Sequence, residues 1–441
     1  MKVATALLRA YNVGFGDCLL LKLTYDDADE SSRCVLFDFG STQLPERASA
    51  NHMEVIANDI AEQCGGKLAM VVATHRHADH ISGFGDADTG PIIARLRPEL
   101  VVQPWTEDPD LATNAKEPTT TGLRGKHIAL ARTMTNMQAF AAGARAEGVR
   151  LRNLAGFPKS VAEKLSFFGE TNLKNKEAVK RLMSMGVRKP VYAKFGDKLN
   201  LRDVLPGVTI DVLGPPTLKQ APEIAHQART DANEFWQLAA NWGRAAEAGT
   251  ATVDDLGPQL APLFPNAVIE AVPQAAKWLV PQISRAYADN MLSILRTMDG
   301  VLNNTSLILL LQIGDTTLLF PGDAQIENWS YALFTAPNHA AIRTRLAGTN
   351  VYKVGHHGSL NATPMTLWNG FDHKQAAAHQ DETRLISVMS TKSGKHGDPR
   401  RDTEVPRETL KTALELNSNL FNTQNKRGST KPWVDVPIPL V

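Results

Sequence analysis

Apolar positions along this chain come in two rhythms. Short, nearly unbroken apolar runs bounded by turn residues predict buried strands at Leu19 to Tyr25, Cys34 to Gly40, Leu68 to His75, Val191 to Gly196 and Val208 to Pro215. The same pattern returns at Ser306 to Ile313, Thr316 to Asp323, Val351 to Ser359 and Arg384 to Ser390. The first two runs flank the polar stretch DDADESSR, a hairpin signal. Helical spacing is found at His52 to Gln63, Ile128 to Glu147, Asn175 to Met185 and Pro406 to Leu416. This order predicts an α/β fold. Its β-rich framework covers 1–105, 190–216 and 301–400, helix-rich insertions cover 106–189 and 217–300, and 401–441 reads as a late helix and a tail. No internal repeat is visible in the sequence.

Composition narrows the class. At 441 residues the chain exceeds one simple core, and 43% hydrophobic against 21% charged residues fits a soluble globular protein. The longest apolar run, Ser306 to Ile313, falls short of the roughly 18 to 20 residues of a membrane span. No membrane contact is expected, the N-terminal residues lack the pattern of a secretory leader, and a cytoplasmic location follows. Cys18, Cys34 and Cys64 are odd in number and form no CxxC, so neither a disulfide framework nor a thiolate zinc site is expected.

The 47 Lys+Arg and 46 Asp+Glu leave a net charge of +1, which excludes a chain-wide polycation. That neutrality is an average. Between Lys174 and Arg202 nine basic residues stand against Glu177 and Asp197, while six basic residues face nine acidic ones between Thr217 and Gly300. Within the first cluster, Lys180, Arg181, Arg188 and Lys189 are candidate phosphate contacts. A second basic stretch, Thr391 to Arg401, contains His396.

The sharpest chemical signal is HRHADH, His75 to His80, directly after an apolar run. Three imidazoles and a carboxylate within six residues are the donors that divalent zinc or manganese prefers. Two further signals share its context: LLFPGD ends on Asp323, and VGHHGS places His356 and His357 before Gly358 and Ser359, each after a strand-like run. The order strand-HxHxDH, strand-GD, strand-HHGS is more specific than any of its parts. Other chemistries lack their motifs. There is no GxSxG and no GxxxxGK[ST], and NVGFGD precedes a strand where a dinucleotide fingerprint would precede a helix.

In these pieces, together with NVGFGDCLLL, VLFDFG and NNTSLILLL, the chain resembles the metallo-β-lactamase-fold hydrolases, and within them the branch of the ComEC competence metal domain and bacterial phosphorylcholine esterase. The resemblance implies an αββα sandwich with two divalent ions, Zn2+ or Mn2+. It implies that His75 and His77 hold one ion, that Asp79, His80 and His357 hold the other, that Asp323 bridges them and that Asp38 supports the ligands. Many members have a further ligating His between the HxHxDH and GD motifs. Only His127 and His226 stand there in this chain, both in the helix-rich insertions; either one of them reaches in or, the favoured expectation, the first ion keeps open positions for water or substrate.

Two ions roughly 3.5 to 4 Å apart suit a phosphodiesterase or nuclease, with Asp79 orienting the attacking water and His356 serving the leaving group. Ser359 and His396 are further candidate substrate contacts. The alternatives are a hydrolase of a small ester, lactone or phosphorylated molecule under a helical lid, and a partner-binding subunit docking through its insertions. Nucleic acid or a small phosphodiester is the expected partner class.

Overall fold

The computed structural model describes residues 2–26, 31–109, 117–118, 143–154, 157–173, 175–199, 201–221, 285, 288–289, 292, 302–359, 362–376, 383–394, 404–424 and 431–440. Most of the second insertion with His226, residues 119–142 of the first with His127 and most of the expected helix Ile128 to Glu147, and the stretch that holds His396 lie outside these residues.

Among the described residues, strands form two seven-stranded mixed sheets. The first contains β1 (Val3–Tyr11), β2 (Leu19–Tyr25), β3 (Ser32–Phe37), β4 (Met70–Val72), β5 (Leu100–Pro104) and β6 (Val191–Ala193) in that order. The second contains β7 (Lys198–Leu199), β8 (Val208–Gly214), β9 (Ile308–Ile313), β10 (Thr316–Phe320), β11 (Val351–Lys353), β12 (Ile386–Met389) and β13 (Asn419–Asn422). A last strand, β14 (Trp433–Ile438), returns to pair antiparallel with β1 at the edge of the first sheet.

The end of the chain is therefore a strand, not the expected tail. Arg9, from the middle of β1, explains the docking: it pairs with Asp435 at 2.7 Å and Asp59 at 2.8 Å and lies 4.5 Å over the Trp433 ring. Pro437 obscured this strand in the sequence, but an edge strand tolerates a missing N–H. Strands β1, β5 and β13 were also not foreseen. Arg9 interrupts the apolar pattern of the first, and the third is a short edge strand holding two Asn.

Side-chain alternation sorts each strand between two faces. In β3, Val35 and Phe37 face the other sheet while Cys34 and Leu36 face outward. In β10, Leu318 and Phe320 face inward and Leu319 outward. Both faces are covered, which is why these strands read as continuous apolar runs. Helices His52–Gln63, Ala78–Gly85, Thr89–Arg95 and Asn175–Ser184 cover the first sheet through Ile56, Ile60, Phe84, Ile93 and Leu182. On the second, Trp329, Ile342, Leu346, Trp368, Leu410 and Leu414 do the same. The result is four layers, helices outside and sheets inside, with each fully buried Leu worth about 1.5–3 kcal/mol.

Helix Asn175–Ser184, expected within an insertion, belongs to the outer layer and packs on helix Ala78–Gly85. A Cβ on Gly85 would lie 2.8 Å from the Ala178 amide nitrogen. The framework segment 190–216 crosses between the sheets, giving β6 to the first and β7 and β8 to the second. Cys18, Cys34 and Cys64 are free and buried. No described helix is long and apolar enough to cross a membrane.

Candidate metal centre

The two sheets meet at one end through Phe37 and Phe320, which stack with ring centroids 4.2 Å apart and planes 3° from parallel. Each is the last residue of its strand, so Asp38 and Asp323 emerge one and three residues later on opposite sides of the seam. The parallel strands β3, β4, β10, β11 and β12 all deliver their C-terminal ends here, the place where layered α/β folds gather ligand-binding groups.

Helix Ala78–Gly85 carries Asp79 and His80 in its first turn, where the helix dipole favours a carboxylate. Two glycines let neighbouring loops press on this turn. A Cβ on Gly16 would sit 2.3 Å from the Gly40 carbonyl oxygen and 2.6 Å from that of Asp79; one on Gly40 would sit 2.6 Å from the His80 nitrogen. In that space the Asp17 amide donates to the Asp79 carbonyl at 2.9 Å and the Phe39 amide to that of His80 at 2.7 Å. Gly16 of NVGFGD and Gly40 of VLFDFG thus owe their place to backbone packing against the HRHADH turn, while Gly14 packs against the backbone of Gln43, Leu44 and Pro45.

Asp79, His80, Asp323 and His357 are all buried, and each offers a ligand atom within 4.8 Å of the others. His80 Nε2 lies 3.1 Å from Asp323 Oδ2, and His357 Nε2 lies 3.1 Å from Asp79 Oδ2 and 3.6 Å from Asp323 Oδ2. The far edges of both rings are fixed. His80 Nδ1 donates to Asp38 Oδ2 at 2.7 Å, and His357 Nδ1 to the Ser390 carbonyl at 3.1 Å. Asp38 also accepts from the Thr74 amide at 2.8 Å and the Thr74 hydroxyl at 2.7 Å. By contrast Asp79 Oδ1 and Asp323 Oδ1 are buried without a hydrogen-bond partner. This donor set, with imidazole edges fixed and carboxylate oxygens open, fits a divalent cation.

His75 and His77 stand beside the group of four. Their Nε2 and Nδ1 atoms are 2.9 Å apart, and the His75 ring lies 4.2 Å from that of His80. His356 is turned outward, 22% exposed, with Nε2 3.8 Å from Asp323. Asp38, His356 and His357 have positive φ values of 55°, 44° and 53°. Such backbone costs of order 1–3 kcal/mol per residue and collects at functional sites. Ser359 closes the turn through its amide to the His356 carbonyl at 2.8 Å.

Electrostatics divides the histidines. Burial pushes His75 and His77 below their ordinary values, leaving them neutral. Burial opposes the charge on His80 and His357 too, but Asp323 and Asp38 outweigh it for the first, and Asp323, Asp17 and Asp79 for the second. Both are raised. Burial works against the charge on Asp79 and Asp323 as well; His357 and His80 overcome it for Asp79, and His80, His357 and His356 for Asp323, so both stay ionised.

Two buried residues at the site were not foreseen, Asp17 and Lys353. Their side chains form an ion pair beneath the ligand rings. A lysine inside the apolar run VYKV was the available signal. The basic segment lies apart from this cluster. Arg181 donates to the Phe84 and Asp86 carbonyls, Arg188 pairs with Glu99 at 2.9 Å, and Lys180 and Lys189 are exposed. A groove of about 740 Å³ lined by Ser41, Glu54, Ser82, Asp86, Asp88 and Glu177 contains none of the candidate ligands, and its carboxylates do not suit an anionic substrate.

No protein-family model matches the chain, and a search of curated proteins finds no match either.

Proposed function

We propose that the chain is a metal-dependent hydrolase of the metallo-β-lactamase fold, cleaving phosphodiesters with two divalent ions, zinc or manganese. One observation carries the reading. Asp17, Asp38, Asp79 and Asp323 are buried together, and the buried ammonium of Lys353 is paired with Asp17. The neighbouring Arg76 is matched by Glu107 at 2.8 Å. With neutral imidazoles these four carboxylates against one ammonium would leave an excess of three negative charges; protons on the raised His80 and His357 offset part of it in metal-free protein, and divalent cations at Nε2 would take the place of those protons. The helix-sheet-sheet-helix layering and the gathering of the candidate ligands in the segments that follow β4, β10 and β11 also support the fold assignment.

Asp79, His80 and His357 would hold one ion, His75 and His77 the other, with Asp323 shared. Bound divalent ions supply Lewis-acid polarisation of a phosphoryl oxygen and lower the pKa of a coordinated water. Asp38 and the Ser390 carbonyl fix the rings of His80 and His357 by their Nδ1 edges, so that Nε2 of each would be free to ligate an ion. The open Oδ1 of Asp79 orients a water by accepting its hydrogen. His356, at the exposed side, delivers a proton to the leaving oxygen. The phosphodiester class rests on the resemblance and on the exposed lysines of the basic segment.

Chelator-free protein should carry zinc or manganese by elemental analysis and turn over bis-p-nitrophenyl phosphate and single- or double-stranded nucleic acid faster than p-nitrophenyl acetate. A faster rate on the carboxylic ester would redirect the reading to a small-ester hydrolase. Metal-free protein that takes up no ion on titration would end it.

A further inference from the structure

β11 alternates in a revealing way. Val351 packs in the core between the sheets and Tyr352 in the core under the outer helices, so Lys353 returns to the inter-sheet side. Its contact with Asp17, from the loop before β2 of the opposite sheet, agrees. Lys353 is 2% exposed, at a position where the strand's other inward residue is apolar. Burial works against its charge, but Asp17 and Asp323 more than compensate and keep it an ammonium.

Asp17 occupies the side of the ligand rings turned away from Asp79 and Asp323. Its carboxylate lies 3.6 Å from His357 Nδ1 and 3.8 Å from His80 Nδ1. Asp17, Asp38 and His80 each offer a ligand atom within 4.8 Å of the others, so by distance alone this inner group suits a second cation. The oxygens of Asp38 are taken by Thr74 and His80, whereas the charged partner of Asp17 is Lys353.

We infer that Lys353 is the tethered cation of this inner pocket: its ammonium takes the place that a metal ion would otherwise take beside Asp17, and so confines metal loading to the Nε2 side of His80 and His357. The inference rests on the metal-centre reading above and assigns Lys353 as a positioning residue for it. An ammonium also differs from a zinc ion in having no ligand-exchange chemistry, so the inner pocket stays fixed while the outer one loads.

Two variants test this. Lys353→Met keeps the aliphatic stem without the charge, and Asp17→Asn/Lys353→Met removes both charges. After zinc loading and exhaustive dialysis, Lys353→Met should carry one more zinc per chain than wild type, and the double variant should return to the wild-type number. In chelator the double variant should melt above Lys353→Met. A wild-type zinc count in Lys353→Met overturns the inference. If Lys353→Met does not fold in chelator, refolding it with zinc should recover it with the extra ion, and failure to recover counts against the inference. Wild-type protein that binds no zinc sinks the metal-centre reading instead. The chelator melts involve no metal and judge the pairing separately: a double variant melting no higher than Lys353→Met overturns it.

Discussion

In the first sheet the turn after β3 carries Asp38 and the turn after β4 carries His75, His77, Asp79 and His80; in the second, the turn after β10 carries Asp323 and the turn after β11 carries His356 and His357. The strands themselves follow one scheme. β1 to β3 and β8 to β10 are antiparallel meanders, and β4 to β6 and β11 to β13 continue each sheet in parallel. A repeat invisible in the sequence is thus present in the topology, and it pairs Asp38 with Asp323. The two carboxylates have opposite surroundings. Asp38 accepts three hydrogen bonds, whereas Asp323 keeps an open buried oxygen. Equivalent strand ends supply one acid that fixes the ring of a candidate ligand and one that keeps an oxygen open toward the proposed ion site.

This contrast is broken most directly by substituting both acids in turn. Asp323→Ala should abolish retention of at least one ion and with it turnover, measured by elemental analysis and by hydrolysis of bis-p-nitrophenyl phosphate. Asp38→Asn should leave the ion count intact at saturating metal but lower affinity about 10–100-fold, because an amide nitrogen facing His80 Nδ1 disturbs the tautomer that aims Nε2 inward. Equal losses in a competitive-chelator titration would erase the distinction between the two acids.

Much of this centre was legible in the sequence, for a physical reason. Metal donors must come from few residue types, and His75 to His80, Asp323 and His356-His357 all follow apolar runs that could only be buried strands. Lys353 and Asp17 were hidden because their meaning depends on which face of a strand a residue takes and what the opposite sheet brings to it. Val351 and Lys353 share a face by alternation, but that this face meets Asp17 of the other sheet is fixed only once β11 has its place between β10 and β12. β14 was hidden for a similar reason: Trp433 and Asp435 acquire their role through Arg9, more than 400 residues earlier.

The histidines also divide by which of them hold protons, with His75 and His77 of the first sheet on one side and His80 and His357, one from each sheet, on the other, and pH sharpens the difference. Above about pH 6.5, His75 and His77 are neutral folded or unfolded, and the ionised Asp79 and Asp323 do not change either. His80 and His357 are raised, so their stabilising protons are present below that pH and are lost as pH rises through the folded values. Asp38, raised by burial, acts in the same direction. Metal-free protein should therefore lose thermal stability as pH rises above about 6.5, and zinc-loaded protein, in which ions replace those protons, should not. Parallel melts in chelator and in zinc check this, and a falling zinc-loaded curve of the same slope would contradict it.

The smallest expected effects separate the basic residues among themselves. Arg181 caps the end of helix Ala78–Gly85 through two carbonyls, so Arg181→Ala should cost about 1–2 kcal/mol in stability, read by urea unfolding. Lys180 and Lys189 are exposed, and reversing both should barely move the unfolding midpoint. If the segment meets a polyanion, the same reversal should weaken nucleic-acid binding and flatten its dependence on log salt by about 0.7–0.9 for each phosphate that is no longer neutralised. An unchanged slope would assign these two lysines to a solvated helix surface and place substrate recognition at the strand ends themselves, beside His356.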